Sequence, residues 1–103
     1  MPQYILLGNW TDQGAREVAQ TVQRSEGFRS AVSELGGQVH ALFWTQGRYD
    51  VAARVEAADD ETMSAIAFRL ASTGSVRSET LRAFTAEEVT RIIDRAGLTG
   101  GGT

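Results

Sequence analysis

Along the chain, short apolar runs alternate with longer stretches in which apolar residues recur every three or four positions. Gln3 to Asn9 is almost continuously apolar, which predicts a central strand buried on both faces. From Asp12 to Leu35 the period changes. Ala15, Val18, Ala19 and Val22 fall on one helical face, and Phe28, Ala31, Val32 and Leu35 form a second run of the same period. This predicts a long helical region with Thr11 and Asp12 capping its start, because a short side-chain oxygen accepts from the free N–H groups of a first turn. The polar Arg24-Ser25-Glu26-Gly27 breaks the phase and predicts a kink, and Gly36-Gly37 ends the helix.

Strict alternation follows. Gln38 to Thr45 reads as a strand with Val39, Ala41 and Phe43 on one face and His40, Leu42 and Trp44 on the other. Gln46-Gly47-Arg48 is a turn. Tyr49 to Ala57 is the next strand, with Val51, Ala53 and Val55 opposed to Asp50, Ala52, Arg54 and Glu56. Asp59-Asp60-Glu61 places negative charge at the start of a helix whose stripe is Met63, Ile66, Ala67 and Leu70, closed by Gly74. Val76 to Phe84 is the most polar strand and reads as an edge or an interface strand. Thr85 and Glu88 form a capping box, with Phe84 and Val89 at the staple positions, for a last helix carrying Val89, Ile92, Ile93 and Ala96 and stopped by Gly97. The Gly-rich tail, residues 98–103, is expected to be flexible.

The order strand, helix, strand, strand, helix, strand predicts an α+β, ferredoxin-like βαββαβ domain over residues 1–97 with an added C-terminal helix. Right-handed crossovers put the first and third strands at the centre. Two helices cover one face, and Val51, Ala53 and Val55 point at them. The other face is expected to hold His40, Leu42, Trp44, Asp50, Ala52, Arg54, Glu56, Arg77, Glu79 and Leu81. Bare apolar surface of that kind marks an interface. The reading favours a second copy packed sheet to sheet, with Arg54 or Arg77 pairing Glu79 or Glu56 to avoid unpaired buried charge.

Composition narrows the chemistry. The 103 residues include no cysteine and a single histidine, which leaves no thiolate or His-based metal site to expect. No metal or cofactor is implied. The ten basic residues are all Arg, scattered from Arg16 to Arg95 within a net charge of −3, so no basic stripe points to nucleic acid. The N-terminus lacks a basic segment and a long apolar one, and no run approaches the roughly 20 apolar residues of a membrane span. A cytoplasmic protein is expected.

The candidate ligand-binding residues are Trp10, His40, Trp44, Tyr49, Asp50, Arg54, Arg77 and Glu79. Tyr49 and Asp50 follow a glycine turn, where Asp50 can bond turn backbone; at a pocket mouth they would be a proton donor and a base. His40 suits a hydrogen-bonded surface or interface position, or else a general base or a pH-sensitive interface group. Trp10 and Trp44 suit core anchoring or a ligand wall. Arg54, Arg77, Glu56 and Glu79 suit cross-strand pairs, and an arginine fork also suits an anionic ligand.

Gly47-Arg48-Tyr49-Asp50 carries the Gly-x-Tyr-Asp signature of the GYD domain family. The chain resembles that family also in Tyr4 to Leu7, Asn9 to Gly14, Phe43-Trp44-Thr45 and Val76 to Phe84, so the likeness runs from Pro2 to about Ile93. The resemblance implies a relation to dimeric α+β barrel proteins, in which two ferredoxin-like sheets close face to face. It supplies no catalytic residue. Three readings follow: an oligomeric accessory or small-ligand-binding protein with a pocket between the sheet and its helices or its partner; a cofactor-independent oxygenase or isomerase; and a structural self-assembly module. The enzyme reading requires His40, Tyr49, Asp50 and an arginine to line one cavity.

Overall fold

The apolar run at the start of the chain is the strand on which the sheet is built. In a computed structural model, which describes residues 1–98, the elements are β1 (Gln3–Trp10), α1 (Asp12–Arg16), a 3₁₀ turn (Val18–Gln20), α2 (Thr21–Glu34), β2 (Gln38–Trp44), β3 (Val51–Glu56), α3 (Asp60–Ala71), β4 (Val76–Ala83) and α4 (Ala86–Arg95). The sheet order is β2-β3-β1-β4 with every neighbouring pair antiparallel. This is the ferredoxin-like arrangement, with the apolar β1 central and the polar β4 at an edge, as the sequence predicts. The tail expected to be flexible lies, beyond Leu98, outside the described residues.

The core sits between the sheet and its helices. Tyr4 and Leu6 of β1, Ala53 and Val55 of β3, Val32 of α2, and Met63 and Ile66 of α3 are buried together. Alternation in β1 leaves Ile5 and Leu7 half-exposed on the opposite, open face. Leu7 pairs with Ala52 and Glu79, and Ile5 with Arg54 and Leu81, so these residues share that face.

Two sequence expectations are corrected. The long helical region does not kink at Arg24-Ser25-Glu26-Gly27, which is regular helix within α2. It breaks earlier, where α1 ends at Arg16 and the 3₁₀ turn follows. Its first turn is tied to the β4 end of the sheet: Thr11 caps it by accepting from Gly14 N–H at 3.2 Å, while Thr11 N–H donates to the Ser75 carbonyl at 3.0 Å. Gly14 lies so close that a Cβ there would meet the Ser75 carbonyl oxygen at 2.1 Å. The first turn is thereby fixed by the sheet, and α2 takes its own direction over the core.

The second correction concerns β2. A bulge between Val39 and Ala41 sets two residues against Arg54. One extra residue reverses the alternation beyond it. Leu42 and Trp44 pair with Ala53 and Val51 and therefore face the helices, while Phe43 pairs with Ala52 and stands on the open face, 64% exposed. The connection to β3 is also longer than a tight turn, spanning residues 45–50 with Gly47 at φ +95°.

The capping box of α4 is formed as predicted: Thr85 Oγ1 accepts from Glu88 N–H at 3.1 Å and Glu88 Oε1 accepts from Thr85 N–H at 2.9 Å. That backbone bond, the leading cause, holds the Glu88 carboxyl below its ordinary value. The helix lies largely apart from the body. Its stripe is open to solvent, with Val89, Ile92 and Ile93 each about 40% exposed.

Candidate functional site

The sheet separates two surfaces, and the eight candidate residues divide between them and the hairpin. On the helix side, a cavity of about 440 Å³ lies under α2 and α3, and Trp10 and Trp44 line it. Trp44 Nε1 donates to Thr21 Oγ1 at 2.9 Å, which braces the start of α2 against the end of β2. The bulge at His40 brings Trp44 to this side.

The remaining candidates belong to the hairpin or the open face. Asp50 is structural: its Oδ2 accepts from Trp10 N–H at 2.9 Å, its own N–H donates to the Gly8 carbonyl at 2.9 Å, and its carbonyl accepts from Thr45 N–H at 2.8 Å. It pins the hairpin to the end of β1 through backbone groups that the ladder leaves unpaired. Tyr49 reaches across the open face, where its hydroxyl donates to Glu79 Oε1 at 2.9 Å. That bond, with partial burial, pushes the Tyr49 hydroxyl above its ordinary value. Tyr49, Glu79, Arg77, Arg48 and Leu7 border a shallow depression of about 270 Å³.

His40 lies at the far side of the same face, its Nε2 2.5 Å from Glu56 Oε1. Glu56 is also 3.6 Å from the N-terminal amine. The His40 bond, then the charges nearby, hold the Glu56 carboxyl below its ordinary range, against the opposing effect of burial. Among the described residues Arg54 and Arg77 form no ion pair. The pairing expected of them with Glu79 or Glu56 is absent within one chain, because Tyr49 and His40 engage those carboxylates instead.

Among the described residues, neither the inner cavity nor the shallow depression is lined by His40 or Asp50, and only the depression brings Tyr49 together with an arginine. What the open face does offer is a band of apolar side chains, Ile5, Leu7, Phe43, Ala52 and Leu81, rimmed by charges of both signs. Leu81 is 42% exposed.

Sequence reading missed the polar mouth of the inner cavity. Arg24 donates from Nη2 to Glu17 Oε2 at 2.9 Å and from Nη1 to Ser75 Oγ at 3.1 Å. Glu17 and Arg24 are seven residues apart, beyond the three- or four-residue spacing at which side chains pair on a continuous helix, and they meet across the 3₁₀ turn, so no local spacing signals the pair. The polar stretch around Arg24 reads as a phase break when its partner Ser75, from a distant segment, is not in view.

The GYD domain family model matches residues 4–93. A Thermus thermophilus protein named glutamine synthetase and cystathionine beta-lyase binding protein is 34% identical over 84 residues, which is 81% of this chain and 88% of that protein. A crystal structure of a Thermus thermophilus protein matches with a TM-score of 0.56 at 27% identity, covering 84% of this chain and 96% of the other. Among the described residues no helix is long and apolar enough to cross a membrane. The family signature Gly47-Arg48-Tyr49-Asp50 forms the loop that ties β3 to β1, and with the match extending over all four strands the chain belongs to the GYD domain family.

Proposed function

We propose that this chain is an accessory protein that works by binding another protein through the open face of its sheet, and that the bound protein is an enzyme of a kind named in its Thermus thermophilus relative. The observation that carries this reading is the bare apolar band of Ile5, Leu7, Phe43, Ala52 and Leu81. Contiguous apolar surface rimmed by polar groups is characteristic of a protein-docking site. Phe43, the most exposed of the band, has the character of an anchor that fills a pocket on a partner. Arg54 and Arg77, elsewhere on the same face, are free to meet carboxylates across the interface.

The test is biolayer interferometry of the purified chain against the glutamine synthetase and the cystathionine beta-lyase of its own organism. Micromolar or tighter binding to one of them is expected, and Phe43→Glu weakens it at least about tenfold, the 1.4 kcal/mol scale of an interface anchor. Absence of binding to both enzymes at about 100 times a micromolar Kd, or undiminished binding by the variant, overturns the reading.

A second reading has its own support: the open face pairs two copies of the chain. It presents Arg54 and Arg77 together with Glu56 and Glu79, so a two-fold related copy would offer it opposite charges. Sedimentation at micromolar concentration separates the two. A dimer dissociated by Phe43→Glu supports self-pairing, and a stable wild-type monomer removes it.

A further inference from the structure

We propose that the cavity beneath α2 and α3 binds small molecules with an apolar body, taking in that body and leaving any polar head in water at the mouth. Protein interiors are packed to a density of about 0.75, with few voids larger than a water molecule. A space of about 440 Å³ falls instead within the roughly 300–1,000 Å³ range of small-molecule sites. The space traces to α2, which sets Thr21, Ser25, Gly27 and Ala31, all small, along the lining, with Phe28 as its one large apolar residue there. The helix's one buried residue, Val32, lies outside the lining. Gly27 has no structural cause. It stands inside regular helix at a φ that any residue adopts, where glycine is less favourable than alanine, and a Cβ there would meet nothing within 4 Å. Its missing side chain keeps the rim open, as suits a backbone approached closely by a ligand.

The lining sets the ligand class. Its floor is firm, because Leu6, Ala53 and Ile66 are buried members of the core, and Phe28, Leu42 and Leu70 add apolar wall. Such a lining offers water few partners, so an apolar occupant gains what water cannot. The polar side chains among the lining residues already have partners within the chain. Trp44 donates to Thr21, Arg24 to Glu17 and Ser75, and Arg69 to Glu34. The hydroxyls of Ser25, Ser72 and Thr73 donate to carbonyls three residues back. Recognition therefore rests on apolar contact, and affinity follows the apolar area buried. Arg24 and Arg69 are partly in solvent, so the cavity opens to water beside them and a head group there keeps its hydration. This inference is independent of protein docking on the open face, since the sheet lies between the two sites.

The probes are 1-hexanol, 1-octanol and octanoate, which vary chain length and head group separately. Both tryptophans of the chain, Trp10 and Trp44, line the cavity, so their fluorescence at neutral pH reads occupancy, and intermolecular nuclear Overhauser effects read location. We expect octanol to bind one to one, at least about tenfold tighter than hexanol, since each buried methylene is worth about fourfold. Octanoate matches octanol within about fivefold, because its carboxylate stays in water. Cross-peaks fall on the methyls of Leu6 and Ile66. Gly27→Leu puts bulk on the open rim and weakens octanol at least about tenfold, with Tm at or above the wild-type value, since leucine is the better helix former. Ala31→Leu, one turn along the same lining, repeats the loss and carries the test if Gly27→Leu lowers Tm. Equal affinity for hexanol and octanol, no binding of either, a head-group preference beyond about fivefold, cross-peaks confined to Ile5 and Leu81 on the open face, or unaltered octanol affinity in both variants would each overturn the proposal.

Discussion

Tyr4 is constrained at both ends. Its ring lies in the core at 3% exposure, and its hydroxyl donates to Asp60 Oδ1 at 2.6 Å. Burial first, and then the bond and charge of Asp60, push that hydroxyl from 10.0 up to about 12, against a smaller opposing pull from Arg82. The folded chain therefore holds this proton more tightly than the unfolded chain does. The resulting stabilisation is complete below pH 10 and is lost as pH rises from 10 towards 12. Urea denaturation across pH 8 to 12 should show wild-type stability falling through this window. Tyr4→Phe should start less stable and fall less steeply, and parallel curves for the two proteins would refute the assignment. The core role of Tyr4 was legible in the apolar run around it; its partner was not, because Asp60 stands 56 residues away. Asp50 repeats the pattern. Its residue type and its place after a glycine turn indicated a backbone-bonding role, but the group it binds, Trp10 N–H, is set by the pairing of β1 with β3.

At the level of elements, local signals read well where they are self-contained and fail where one residue alters a phase. The capping box of α4 needs only Thr85, Glu88 and the intervening backbone, so it could be read directly. The bulge in β2 has no such local mark: Val39, Ala41 and Phe43 alternate without fault with His40, Leu42 and Trp44 until pairing with β3 forces two residues against Arg54. Candidate-site residues suffered accordingly, and Trp44 exchanged faces with Phe43. The helix break after α1 was likewise decided by the contact of Gly14 with the Ser75 backbone, which the periodicity between Asp12 and Leu35 does not contain. Because α4 lies largely apart from the body, its cap acts on local stability. Thr85→Ala removes an N-cap bond worth about 1 kcal/mol, so amide hydrogen exchange over Val89 to Ile93 should speed about fivefold. Exchange in β1 and β3 should stay as it was. An equal acceleration in those strands would show that α4 is integral to the cooperative core.

For the molecule as a whole, the sheet separates the core that folds the chain from the open face proposed to dock a partner. On one side Met63, Ile66, Val32 and Val55 are fully buried against the sheet's inner face. On the other, Phe43 at 64% exposure has little of its side chain removed from water. The two sides should therefore respond oppositely to substitution. Ile66→Ala leaves a cavity next to the one already present and should cost about 2–5 kcal/mol. That is a fall in Tm of roughly 8 °C or more for a chain of this length. Phe43→Glu, on solvent-facing surface, should change stability by no more than about 0.5 kcal/mol while removing the anchor of the open face. Thermal unfolding of both variants, at low protein concentration to keep self-pairing from contributing, measures the contrast. If Phe43→Glu instead lost stability on the scale of Ile66→Ala in dilute solution, the open face would be a covered part of the fold and could not serve as a docking surface. If the two separate as expected, a protein can lose its partner through Phe43 and keep its fold, as an accessory role carried by one sheet face requires.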